Sequence, residues 1–108
     1  MTSRSLPAPL RPLGGERSAG LPAAEARLRA AGVEPMAWSN GPGDRYGAHD
    51  HGYAKLLVCA EGSITFLVGD LEIPVPLEAG DGFELPVGIS HAAVVGPDGC
   101  TCVEGHRR

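Results

Sequence analysis

After Gly32 the chain is cut into short apolar runs by glycine, proline and aspartate, and that punctuation constrains the fold more than any other feature of the sequence. Eight stretches read as strands: EPMAWS, RYGAHDH, YAKLLVCA, SITFLVG, LEIPVPL, GFELP, SHAAVVG and CTCVEGH. They are separated by turn material such as NGPGD, EG, GD, EAGD, PVG and GPDG. Eight short strands cannot each bury a face alone, so the expected architecture is all-β, either a sandwich or a closed barrel. Pro74 and Pro76 cannot donate to a sheet ladder and mark their strand as an edge or as locally irregular. An open edge there invites pairing with a second copy or covering by the N-terminal arm.

The upstream segment has a different character. Residues 1–20 hold prolines, glycines and serines without apolar periodicity, and read as a partly ordered arm. Residues 21–33 read as a short helix: Pro22 suits a first helical position, Glu25 and Arg29 stand four apart, and Gly32 suits the residue after the helix end. Leu21, Ala24, Leu28 and Ala31 form its apolar stripe. So short a helix is marginal alone and has to pack on the β-region, residues 34–108.

A chain of 108 residues supports one modest core and no second independent domain. The formal net charge of −4, from nine basic against thirteen acidic residues, gives no basic face for sequence-independent phosphate binding. No clear nucleic-acid or membrane partner is expected, and the lack of a long apolar run or a signal-like N-terminus points to a soluble, cytoplasmic protein. Cys59, Cys100 and Cys102 form no C-x-x-C pair. Cys59 reads as a small buried hydrophobe, and Cys100 and Cys102 share one face of a strand. Neither a G-x-S-x-G elbow nor a G-x-G-x-x-G loop is present, so a serine nucleophile and a dinucleotide site are both disfavoured.

The histidines carry the chemistry. His49, His51 and Tyr53 share parity in a strand, and the register continues through Lys55, Leu57 and Cys59. Imidazoles at i and i+2 can converge on one point, which a metal ion requires of its first two ligands; His91, from a distant strand, would be the third.

The two segments around these histidines resemble the two motifs of the cupins. In GPGDRYGAHDHGYAKLLVCAEG, Gly43, His49, His51 and Gly62 stand at the first motif's spacing, with Lys55 where that family has a glutamate. In GDGFELPVGISHAAVV, Gly80, Pro86, Gly88 and His91 match the second motif, with Val95 where the family has an asparagine. The 17 residues between Gly62 and Gly80 are a usual spacing for compact bacterial cupins. The resemblance implies a double-stranded β-helix, the jelly-roll barrel of the RmlC-like superfamily; the short helix precedes it, and the open edge makes a homodimer the expected assembly. The resemblance also implies a divalent metal held by His49, His51 and His91, with the fourth family ligand missing. Such a neutral set suits Zn, Fe, Ni, Mn, Cu or Co and leaves open positions for water or for a small anionic molecule.

Lys55 admits three roles: a base near the metal, a charge carried to an acidic partner or substrate carboxylate, or a structural group in a pocket that has lost its metal. Tyr46 and Tyr53 flank the histidine pair and are candidates for orienting a substrate, against a packing role. With Lys55 they make up the candidate catalytic set. Trp38 reads as covering the core or an interface, Phe66 and Phe83 as core, Glu84 as outward, and His106 as solvated. Three functions follow: a metal-dependent enzyme such as a dioxygenase, isomerase or lyase; a metal-free small-ligand-binding or sensory cupin; or a structural dimer without turnover.

Overall fold

The computed structural model describes residues 6–108. Of the arm expected over residues 1–20, the first five therefore lie outside the described residues. The elements are α1 (Leu21–Ala30), β1 (Met36–Asn40), β2 (Arg45–His49), β3 (Ala54–Val68), β4 (Ile73–Glu78), β5 (Gly82–Leu85) and β6 (His91–Arg107). No helix among the described residues is long and apolar enough to cross a membrane.

Two long strands organise the sheet. β3 and β6 run antiparallel along almost their whole length, from Ala54 opposite Arg107 to Val68 opposite His91. The first half of β3 pairs with β5 and the end of β6 pairs with β1. The second half of β3 pairs with β4 and the start of β6 pairs with β2. The pairing thus makes two four-stranded groups, β5-β3-β6-β1 and β4-β3-β6-β2, and each long strand passes from one to the other. Their inner faces meet in one core, where Phe66 of one group packs edge-on against Phe83 of the other at 5.3 Å between ring centroids.

Eight expected stretches become six strands because EG and GPDG bend the chain without breaking its pairing. The register shifts at Cys59/Glu61 and Gly62/Ile64 while the ladder continues on both sides. Gly62 permits this: its φ is 72°, and a Cβ there would overlap the carbonyl oxygen of Gly99.

The run from Lys55 to Ala60 is buried at every position because both faces of β3 are covered. Leu57 and Cys59 face the inner core, whereas Leu56, Val58 and Ala60 pack with Ala24 and Leu28 of α1. The helix stripe is as expected, with Ala24 and Leu28 fully buried and Leu21 and Ala31 partly so. Arg27 fixes the arm to this assembly by donating to the carbonyls of Leu13, Gly14 and Gly80.

β4, the strand carrying Pro74 and Pro76, lies at the sheet edge. The arm covers a different edge: Arg11 and Glu84 exchange backbone hydrogen bonds, so the arm extends β5. Glu84 points away from the core, as its parity requires, and its carboxylate lies 3.8 Å from Arg107.

Candidate metal centre

Three separate backbone features bring the histidines together. His49 ends β2 directly opposite His91 at the start of β6, after an irregularity between Tyr46 and His49. His51 follows in the connection to β3, and its carbonyl accepts a hydrogen bond at 2.9 Å from the N–H of Gly88, whose φ of 78° shapes the turn before β6. One ring nitrogen from each histidine lies within 4.8 Å of the other two. Ring centroids are 4.4 Å apart for His49 and His91, 4.8 Å for His49 and His51, and 5.2 Å for His51 and His91.

Backbone carbonyls set the tautomers. A carbonyl only accepts, so Nδ1 of His91 donates to Ile89 at 3.0 Å and Nδ1 of His49 donates to Gly47 at 2.8 Å. In both rings the Nε2 lone pair is left free for an ion, the orientation that outer hydrogen bonds give to metal-binding histidines. The Nε2 atoms of His51 and His91 are buried and have no hydrogen-bond partner within the protein. Burial lowers the pKa of both rings, with the Lys55 and His49 charges acting in the same direction; for His91 the hydrogen bond to Ile89 opposes it. Both imidazoles are therefore held towards the neutral form that binds a metal. The donor set fits a divalent ion.

A cavity of about 180 Å³ opens beside the cluster, with His49 exposed at its mouth and His91, 2% exposed, at its base. Trp38, Tyr46, Phe66, Ala92 and Ala93 give it a largely apolar wall, and Lys55 and Glu104 line it with the three histidines. Tyr46 packs edge-on against Trp38 at 5.6 Å and donates its hydroxyl to Asn40. Burial raises the pKa of that hydroxyl. Tyr53 is not part of the wall; it stacks behind His51 at 4.8 Å and against His106 at 4.0 Å.

Lys55 is 8% exposed and its ammonium lies 3.1 Å from Glu104 Oε1. Glu104 was not distinguished by the sequence analysis, although it is the hub of the polar network. Its Oε1 also accepts from Trp38 Nε1 at 2.7 Å, and its Oε2 lies 2.7 Å from His106 Nε2. Burial alone would raise its pKa, but the bond with His106, the Lys55 charge and the Trp38 donor together bring it below the usual carboxylate range. The available signal was parity: Cys100 and Cys102 share an inward face, and two further steps of two reach Glu104 and His106. His106 is thus not simply solvated, as its place near the chain end suggested, because β6 stays paired to Arg107 and places His106 opposite Lys55.

Cys59, Cys100 and Cys102 are buried and reduced, with Cys102 directly opposite Cys59 and its Sγ 4.0 Å from that of Cys100. They belong to the core and not to the cavity wall.

No protein-family model and no curated protein matches the sequence. Among solved structures, an RmlC-like cupin from Shewanella frigidimarina is similar at 23% identity and a TM-score of 0.61, over 68% of this chain and 64% of that one. Drosophila melanogaster CENP-C bound to CAL1 is similar at 11% identity and a TM-score of 0.63, over 68% and 60%. A Klebsiella pneumoniae protein with a double-stranded β-helix domain is similar at 24% identity and a TM-score of 0.60, over 67% and 64%. The chain therefore spans less than two-thirds of each of these structures. What they share with it is the fold: a small single-domain cupin architecture of the RmlC-like, jelly-roll type.

Proposed function

We propose that this cupin-fold chain binds one divalent metal ion through His49, His51 and His91, and holds a small anionic molecule beside it in the apolar cavity. The observation that carries the reading is the pair of buried, unpartnered Nε2 atoms on His51 and His91, which converge with His49 on one point. A buried polar atom without a partner is costly, and an ion removes that cost for both rings at once. Three neutral imidazoles leave the ion's charge uncompensated, which favours an anionic ligand at the open positions. When bound, the ion supplies Lewis-acid or redox chemistry, as zinc, iron, nickel, manganese, copper and cobalt do to different degrees.

The chain's own residues supply the rest. Lys55, held in place by its ion pair with Glu104, presents a hydrogen-bond donor to the cavity. Tyr46 shapes the wall, and Tyr53 supports the ring of His51. The two sheet groups are read as a closed jelly-roll barrel, assembled as a homodimer. On this reading the protein is a metal-dependent enzyme or a metal-dependent binder of small molecules, and turnover separates the two.

Cobalt(II) substitution provides the test. A visible spectrum typical of nitrogen ligation, perturbed by added azide and abolished in His51→Ala, supports the reading. A spectrum that His51→Ala leaves unchanged would place the cobalt elsewhere and reject it.

A further inference from the structure

The histidine cluster has no anionic member, and the cation Lys55 shares its cavity. Among the described residues the one group of three or more side chains able to hold an ion is His49, His51 and His91, without a carboxylate. Lys55 stands where the cupin motif has a glutamate ligand. Glu104 lines the same cavity, but its two oxygens are already engaged by Trp38, Lys55 and His106. Both members of the Lys55–Glu104 pair are almost withdrawn from water, so the ammonium is held in the cavity and not turned out to solvent. The pair is neutral overall, yet the cluster does not feel it as neutral. The Lys55 charge acts on both His51 and His91, and at His51 it outweighs the opposite charge of Glu104. In a cavity of about 180 Å³, below the roughly 300–1,000 Å³ of typical ligand pockets, these charges act at short range with little screening by salt.

Resting on the metal reading above, we propose that Lys55 makes this a site for a metal ion and a small carboxylate held together, its ammonium opposing the bare ion and attracting the anion that accompanies it. A dication beside an ammonium is repelled, which weakens binding of the ion alone. A carboxylate in the same cavity is attracted by both charges and can accept a charge-assisted hydrogen bond from Lys55. Lys55 thus trades affinity for the ion against affinity for the anion. By linkage, a carboxylate that prefers the loaded protein tightens the ion within it. A group that only supported the fold would move both affinities the same way.

The test titrates cobalt(II) into the protein at fixed pH and ionic strength in perchlorate, which does not ligate, and then titrates acetate into the loaded protein. The visible spectrum reports both steps, and circular dichroism checks that each variant is folded. Lys55→Met should bind cobalt about tenfold more tightly than the wild type and acetate about tenfold more weakly. Glu104→Gln, which leaves the ammonium uncompensated, should do the reverse. Lys55→Met/Glu104→Gln lacks both charges and should still bind cobalt more tightly than the wild type, which separates loss of the ammonium from exposure of the carboxylate. The double variant and Glu104→Gln carry the comparison if Lys55→Met unfolds. Variants that move both affinities in one direction or leave both unchanged, or a wild-type cobalt spectrum that acetate does not alter, would overturn the inference while a His51-dependent cobalt site stands. Protein that takes up no cobalt would overturn the metal reading and this one together.

Discussion

Lys55 of β3 and Glu104 of β6 form an ion pair of 3.1 Å inside the cavity, with both side chains almost withdrawn from water. Their strands are adjacent, and Glu104 stands opposite Leu57, two residues from Lys55 on the same inward face. A charge carried into an apolar cavity is stable only with a partner, and Glu104 is that partner.

Breaking this pair from one side should be costly. Lys55→Met leaves the Glu104 carboxylate with only Trp38 and His106, and the expected loss is about 3 kcal/mol in urea unfolding. The Lys55→Met/Glu104→Gln double variant should recover a large part of that loss. Additive losses in the two single variants would mean that the residues do not interact in solution.

The pair also gives the protein an acid limit. The pKa of Glu104 is lower in the folded chain than in the unfolded one, so the unfolded state takes up a proton first as pH falls. Its stabilising contribution is present above about pH 4.3 and is lost as pH drops through the folded value. Stability measured against pH should show this limb, and Glu104→Gln should flatten it.

His51 and His91 act at higher pH with the same sign. Their folded pKa values are lowered by burial, so stability of protein stripped of metal should be full above about pH 6.5 and decline as pH falls below that value. His91→Gln should reduce the slope in this window. Bound metal should protect against the same decline until protons displace it.

Lys55 is the chain's single lysine. Amine acetylation at pH 8 should modify Lys55 slowly in the folded protein and much faster in denaturant. Rapid modification of Lys55 in the folded protein, mapped by mass spectrometry, would contradict its burial beside Glu104.

The helix should be separable from the site. Leu28 is fully buried against the outer face of β3, and Leu28→Ala should cost about 2–5 kcal/mol. Metal content per folded chain should stay as in the wild type, because α1 contributes nothing to the cavity wall.

Much of this arrangement was legible in the residues, and the gaps have physical causes. Parity through Lys55, Leu57 and Cys59 located the inward face of β3, whereas Tyr53, of the same parity but ahead of the strand, stacks on His51 and His106 outside the cavity wall; the apolar stripe of α1 was readable from its spacing. The continuity of β3 and β6 was not, because a glycine at positive φ looks the same in a tight turn and in a bend that keeps its ladder; only the pairing of Gly62 with Cys100 distinguishes them. Glu104 was missed because its surroundings, Val103 and Gly105, carry no motif and its partners Lys55 and Trp38 are distant in sequence. His106 was misread because nearness to a chain end implies exposure only when the last strand stops short of it.

The most direct measurement is elemental analysis of untagged protein purified without chelator and reconstituted under controlled conditions, beside His49→Ala and His91→Ala. The account predicts close to one equivalent of a divalent metal per chain, lost in both variants while both remain folded. Failure of the wild-type chain to hold metal after reconstitution, or retention of metal by the two variants, would contradict it.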